Sequence, residues 1–162
     1  MDFVNFQGKK LEGKSKEAAA EAIENNIRKK IVEKILINPK YFEKLSTILD
    51  ELIKQRREGA IAYEQMLEKY IELVKNATNP ENNARYPDSI KGSEALRAIY
   101  DNCGENESLA IEIDKVVREN IQFDFRNNDF KIKRIKLALS KILKNEFEVE
   151  MIYNIITEQN EY

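Results

Sequence analysis

The first half of the chain reads as three amphipathic helices, because apolar residues recur every three or four positions. The first stripe follows Ser15, a suitable N-cap, and ends before Asn38-Pro39, where a second helix is predicted to begin. Gly59 ends this second helix, and the third ends before a long polar loop over residues 76–92. Short connections predict that these helices are antiparallel neighbours. The stripes are Ala20, Ile23, Ile27, Ile31 and Ile35; Phe42, Leu45, Leu49 and Leu52; and Tyr63, Met66, Leu67, Tyr70, Ile71 and Val74.

The most distinctive stretch is residues 86–102, YPDSIKGSEALRAIYDN. The residue before a proline is pushed away from the helical region, so the chain is expected to be extended at Tyr86. A short loop with Gly92 follows. A helix is then predicted with Ser93 as its N-cap and an end near Gly104.

The last three predicted helices differ in charge. The first follows Asn106 and is acidic, the second is basic, and the third opens at Asn145 with Glu148 three residues later, as in a capping box. Residues 145–162 hold glutamates and no base. The predicted apolar faces of the second and third are Ile132, Ile135, Leu139, Ile142 and Leu143, and Phe147, Met151, Ile152, Ile155 and Ile156.

The fold class predicted from these patterns is all-α, a multi-helix bundle of about six or seven helices with no sheet. The 162 residues suit one domain, predicted over 15–162 after an irregular lead-in at 1–14. Helices are expected near 15–37, 39–58, 62–76, 93–103, 107–121, 128–144 and 146–160.

Composition excludes several kinds of chemistry. The chain has no histidine, which removes histidine-based catalytic triads and zinc sites, and its only cysteine is Cys103. A thiol without an activating base is predicted to be structural. No Gly-rich phosphate loop occurs, and the acids lie on charged helix faces. We therefore expect no catalytic residue, cofactor or metal ion in this segment.

The net charge of −2 argues neither for nor against a polyanionic partner of the chain as a whole. The sequence contains no apolar run of about 20 residues and no signal-peptide core at its start, so we predict a soluble cytoplasmic protein without membrane contact.

The basic helix at 128–144 is the candidate binding surface. Two interpretations stay open for it: its cations neutralise DNA phosphates, or they pair with the acidic helix that follows. Base stacking is not expected at this helix, because aromatic residues are not interleaved with its cations. The candidate DNA- or partner-binding residues are Lys131, Lys133, Arg134, Lys136, Lys141 and Lys144.

Several separated blocks together resemble the C-terminal helical region of type I restriction enzyme R subunits. They are AIENNIRKKI (22–31), GAIAYEQMLEKYIEL (59–73), YPDSIKGSEALRAIYDN (86–102), Val117-Arg118-Glu119, residues 125–139 and the final Gln-Asn-Glu-Tyr. The resemblance runs from about residue 15 to the end. Where the family commonly has tryptophan and a Gly-Asn pair, this chain has Phe125-Arg126-Asn127-Asn128.

The resemblance implies a role that the residues alone do not. The intact R subunit of such enzymes is an ATP-dependent type I site-specific deoxyribonuclease, with a nuclease domain and motor domains that use ATP and magnesium. None of those motifs occurs here, so the segment would follow an upstream motor domain. The implied function is an assembly module in DNA restriction. It would dock this translocase onto the methyltransferase core, which consists of specificity and modification subunits. The alternative is an accessory domain that contacts DNA through the basic helix.

Overall fold

The computed structural model describes the backbone of residues 9–162 and the side chains of residues 15–162. Over this range the chain is all-helical, with eight α-helices and no strand, so the predicted fold class is confirmed. The helices are α1 (Lys9–Lys34), α2 (Pro39–Arg57), α3 (Tyr63–Thr78), α4 (Asp88–Lys91), α5 (Glu94–Asn102), α6 (Glu107–Asn120), α7 (Asp129–Ser140) and α8 (Glu146–Thr157). No helix in this range is long and apolar enough to cross a bilayer.

Side-chain caps set several of these helix starts, as the sequence predicted. Ser93 accepts a hydrogen bond from the Leu96 amide at 3.1 Å, and Asn106 accepts one from the Leu109 amide at 3.0 Å. Asn145 accepts from the amide of Glu148 at 2.9 Å. The Glu148 carboxylate in turn reaches the Lys144 amide rather than that of the cap residue.

Both predicted helix-ending glycines have left-handed backbone. Gly59 follows α2 with φ 67°, and Gly104 follows α5 with φ 78°. A residue with a Cβ atom is strained in this conformation, so glycine is the favoured residue at both ends.

Two predicted boundaries and one predicted loop are corrected by the structure. Helix α1 begins at Lys9 rather than at an N-cap on Ser15, since the lysine, leucine and glutamate residues around Gly13 carry little helix penalty and the single glycine does not interrupt the helix. It ends at Lys34 rather than residue 37, because Pro39 disfavours helical backbone at Asn38. The polar loop at 76–92 contains a 3₁₀ turn at Pro80–Asn82 and the short helix α4. The part of the predicted lead-in at residues 1–8 lies outside the described residues.

The chain divides into two compact units. Unit 1 comprises Met1–Glu33 and Lys44–Pro80, and unit 2 comprises Lys34–Glu43 and Glu81–Tyr162. Unit 2 therefore includes a ten-residue segment that runs from the last residue of α1 into the start of α2, and in the sequence this segment lies between the two parts of unit 1. This division does not test whether residues 15–162 form a single domain, which stays a prediction.

In unit 1, Glu24 joins the three helices. Its buried carboxylate accepts two hydrogen bonds from Arg56 of α2, at 2.6 and 2.8 Å, and one from the hydroxyl of Tyr70 of α3. Burial, reinforced by the adjacent Glu24 carboxylate, raises the pKa of Tyr70. Ile27, Ile31, Leu49 and Met66 form the apolar core around this group.

In unit 2, Asp101 of α5 has the corresponding role. Its buried carboxylate accepts hydrogen bonds from Asn38 at 2.7 Å, from Arg85 at 2.8 Å and from the hydroxyl of Tyr86. Burial raises the pKa of Asp101 above the usual aspartate value, even though these three donors favour the ionised form. The Tyr86 ring stacks at 6.1 Å on the ring of Tyr41.

The last residues, 158–162, are held against unit 2 by specific hydrogen bonds. Gln159 is buried and donates to the carbonyl of Ile37 at 2.8 Å, and Glu161 accepts from the amide of Ala95 at 2.6 Å. Arg126 donates to three backbone carbonyls, those of Thr157, Gln159 and Tyr162, at 2.7–3.3 Å. The terminal block of the sequence is thus a structural part of unit 2.

Candidate docking surface

Helix α7 carries the predicted binding residues, but it is shorter than predicted. Asn128 caps its start and accepts from the amides of Phe130 and Lys131 at 3.1 and 3.2 Å. The helix ends at Ser140 rather than residue 144, because Asn145 has extended backbone (φ −154°, ψ 169°) where it caps α8. Lys141 is the C-cap, and Lys144 lies beyond the helix in the connection to α8.

The inward side of α7 is anchored in unit 2. Ile135 and Leu139 are fully buried, and the helix packs against α6, α8 and the 3₁₀ turn at Phe125–Asn127. The opposite side of α7 is consequently presented to solvent.

That opposite side is partly apolar. Phe130 is 85% exposed and Leu137 is 64% exposed. The two residues are seven positions apart and so share one helix face. Lys133 lies on one edge of this face, and Arg134 and Lys141 lie on the other, all of them exposed. We call these five residues the α7 outward face.

The six predicted basic residues separate into two groups. Lys136 points toward α8, where it forms an ion pair with Glu150 at 2.9 Å and lies 4.8 Å from the centre of the Tyr153 ring. Lys131 donates to the backbone carbonyl of Phe123. These two cations are used within unit 2.

The side chains of the other four basic residues form no ion pair with α8. Arg134 lies 3.4 Å from the amide oxygen of Asn120, a neutral group. Lys133, Lys141 and Lys144 are exposed and have no acidic partner within residues 15–162. Pairing with the acidic helix thus accounts for Lys136, while four of the predicted cations keep their charge available.

Sequence reasoning overlooked the apolar part of this surface. Phe130, Arg134, Leu137 and Lys141 follow a four-three-four spacing, which was a readable signal of a second face on the helix. Phe130 also supplies an aromatic ring among the cations. Phe147 was predicted to point inward, but it is 77% exposed in the first turn of α8. That turn lies at the end of the apolar stripe, where Val149, Ile152 and Ile156 already fill the interior.

The other polar clusters and the cleft of unit 2 do not include residues of the α7 outward face. No group of three or more potential metal-ligating side chains occurs among the described residues. An open cleft of about 530 Å³ in unit 2 is lined by Leu36, Met151 and Ile155 with a polar rim. The buried carboxylates Glu24 and Asp101 are each fully engaged by hydrogen-bond donors from their own unit.

Comparison with protein-family models, curated proteins and solved structures finds no match to this chain.

Proposed function

We propose that this chain is the C-terminal helical assembly module of a type I restriction enzyme R subunit. In this proposal it works in the cytoplasm and docks the ATP-dependent DNA translocase and nuclease onto the methyltransferase core of specificity and modification subunits. ATP and magnesium belong to the motor domains of the same subunit, outside this segment. Such a tether raises the local concentration of the motor at the recognised DNA site without adding chemistry.

The observation that carries the docking role is the exposed apolar part of α7. Phe130 and Leu137 leave most of their side-chain surface in water although the helix that bears them is anchored by Ile135 and Leu139. Large apolar side chains that share an exposed face are typical of a surface that another macromolecule covers.

The resemblance gains support from the way its blocks contact one another. Tyr86 and Asp101 belong to one block and form a buried hydrogen bond. Glu161 of the terminal block accepts from the amide of Ala95 in that same stretch. In unit 1, Glu24 and Tyr70 join two further blocks. The blocks that carry the resemblance therefore include residues whose hydrogen bonds organise each unit.

A second candidate function is DNA contact by the same subunit. The exposed cations Lys133, Arg134, Lys141 and Lys144 favour it, because each could neutralise a phosphate. Contacts of this kind are independent of sequence and weaken steeply with salt.

A binding experiment with purified components separates the two functions. The chain is mixed with the cognate methyltransferase core, and separately with short duplex DNA, each at low and high salt. Docking predicts that the chain co-elutes with the core in the absence of DNA. If the chain does not co-elute with the core at low salt or at high salt, the docking function is refuted. DNA binding that is lost at high salt and after substitution of the four cations would support the second function.

A further inference from the structure

We infer that the partner of the α7 outward face is an acidic amphipathic helix of the methyltransferase core. This inference rests on the proposed function and specifies the chemistry of the docking contact. Three properties of the face carry it: the spacing of its apolar residues, the sign of the charges around them, and the position of the acidic helix α8 relative to them.

The apolar residues are spaced to receive a helix. Phe130 and Leu137 stand two turns apart on one side of α7, about 10.5 Å along the axis at 1.5 Å per residue. A partner helix laid along this side meets both with anchors of its own at a spacing of three, four or seven residues. Their exposures of 85% and 64% leave most of both side chains for such a partner to bury.

The charges around these residues have one sign. Lys133 borders one edge, and Arg134 and Lys141 border the other. The only acid in α7 is Asp129, in its first turn. A partner with glutamate or aspartate on both sides of its apolar stripe matches this arrangement, and a basic partner is repelled.

The acidic helix of the same chain does not occupy the surface. Glu150 of α8 pairs with Lys136, which lies about 100° around the helix from Leu137. Within unit 2, α8 therefore neutralises the inward edge of α7 and leaves the outward face without acids. Since α8 does not supply the complementary charge, we assign that charge to another molecule.

The apolar centre favours a protein helix over nucleic acid. Phosphates and base edges are recognised by polar and cationic groups, and a stacked base requires an aromatic ring. Leu137 lies between the cations along the centre of the face, but its side chain has no polar group, charge or aromatic ring. A helix with apolar anchors covers both Leu137 and Phe130 and desolvates them.

The first test replaces the apolar centre. Leu137→Glu introduces an acid where the partner is acidic, yet it keeps helix propensity and stands four residues from both Lys133 and Lys141. We expect the affinity for the methyltransferase core to fall about tenfold or more, the usual effect of losing a central anchor. Ile71→Glu on α3 is the matched control, since Ile71 is 55% exposed and is not part of the face.

The second test reverses the charge. The double variant Lys133→Glu/Lys141→Glu is expected to weaken binding about tenfold at low salt and to abolish most of its salt dependence. Its control, Lys44→Glu/Lys69→Glu, makes the same change at exposed positions of unit 1. Circular dichroism establishes that all four variants keep the helical content of the parent chain.

Crosslinking identifies the partner directly. A photoreactive benzoylphenylalanine at position 137 is irradiated in the complex with the core, and the attached peptide is sequenced by mass spectrometry. The inference predicts a segment with apolar residues at helical spacing and a clear excess of acids. Attachment to a neutral or basic segment, to added DNA or to a second copy of this chain would overturn it, as would unchanged binding by the Leu137→Glu variant. If the parent chain itself does not bind the core, the proposed function fails as well, so the two failures are distinguishable.

Discussion

The hydroxyl of Tyr86 offers a sharp test of the buried network in unit 2. Tyr86→Phe removes one oxygen and preserves the ring, which is 5% exposed and lies 6.1 and 6.0 Å from the rings of Tyr41 and Tyr100. Packing is therefore retained, and the change is confined to the hydrogen bond that the hydroxyl donates to Asp101. Asp101 keeps its bonds to Asn38 and Arg85 at 2.7 and 2.8 Å.

The size of the effect follows from the charge of the acceptor and from burial. A hydrogen bond to a charged group contributes about 1.5–3 kcal/mol, and water has little access to replace it at a site this buried. We expect the free energy of unfolding to fall by that amount at about pH 7. With an m value of about 2 kcal/mol/M, the urea midpoint shifts by about 1 M.

Urea unfolding followed by circular dichroism at 222 nm measures this loss, and hydrogen exchange shows whether it is confined to unit 2. Tyr63→Phe is the control, because the buried Tyr63 hydroxyl has no hydrogen-bond partner among the described residues, so its removal should be neutral or slightly stabilising. In an Asp101→Ala background the Tyr86→Phe change should cost much less. A loss below about 0.5 kcal/mol, or an equal loss in the control, would refute the role assigned to this bond.

Four further outcomes are expected. Glu24→Ala leaves the guanidinium of Arg56 without its buried partner and should cost unit 1 about 3–5 kcal/mol in urea unfolding. Arg126→Lys loses the planar fork that reaches three carbonyls and should cost about 1–3 kcal/mol by the same assay. Burial raises the pKa of Asp101, so the folded state binds the proton of this carboxyl more tightly than the unfolded state does. The free energy of unfolding should therefore fall as the pH rises through the folded-state pKa. Urea unfolding of the Asp101→Asn variant over the same pH range should not show this decrease. Burial also raises the pKa of Cys103. Iodoacetamide should therefore label Cys103 more slowly than it labels a solvent-exposed cysteine in a short peptide at about pH 8, and mass spectrometry measures both rates.

Local sequence signals were sufficient to predict most helix starts and ends. Ser93, Asn106 and Asn145 cap helices where expected, and Gly59 and Gly104 end them with left-handed backbone. These signals are reliable because a cap satisfies backbone groups of its own helix and needs no distant partner.

Roles that depend on contacts between residues far apart in the sequence were not predicted. The role of Asp101 required knowledge that Asn38, Arg85 and Tyr86 converge on it, and their separation in sequence gives no sign of this. The same limit applied to α7. Its inward stripe was recognised, but an exposed Phe130 or Leu137 can be distinguished from a buried one only when the packing of the neighbouring helices is known.

The hydrogen bond from Gln159 to Ile37 has a consequence for synthesis on the ribosome. Its two ends are 122 residues apart, and the segment Lys34–Glu43 lies between two parts of unit 1. Every residue of unit 1 has been translated once Pro80 is made, so unit 1 can fold while the chain is still growing. Unit 2 cannot form this hydrogen bond until residue 159 has been translated, and until then the carbonyl of Ile37 is left to bond to water. A nascent chain that stalls before residue 159 would therefore carry a finished unit 1 and an incomplete unit 2, which quality-control proteases could recognise.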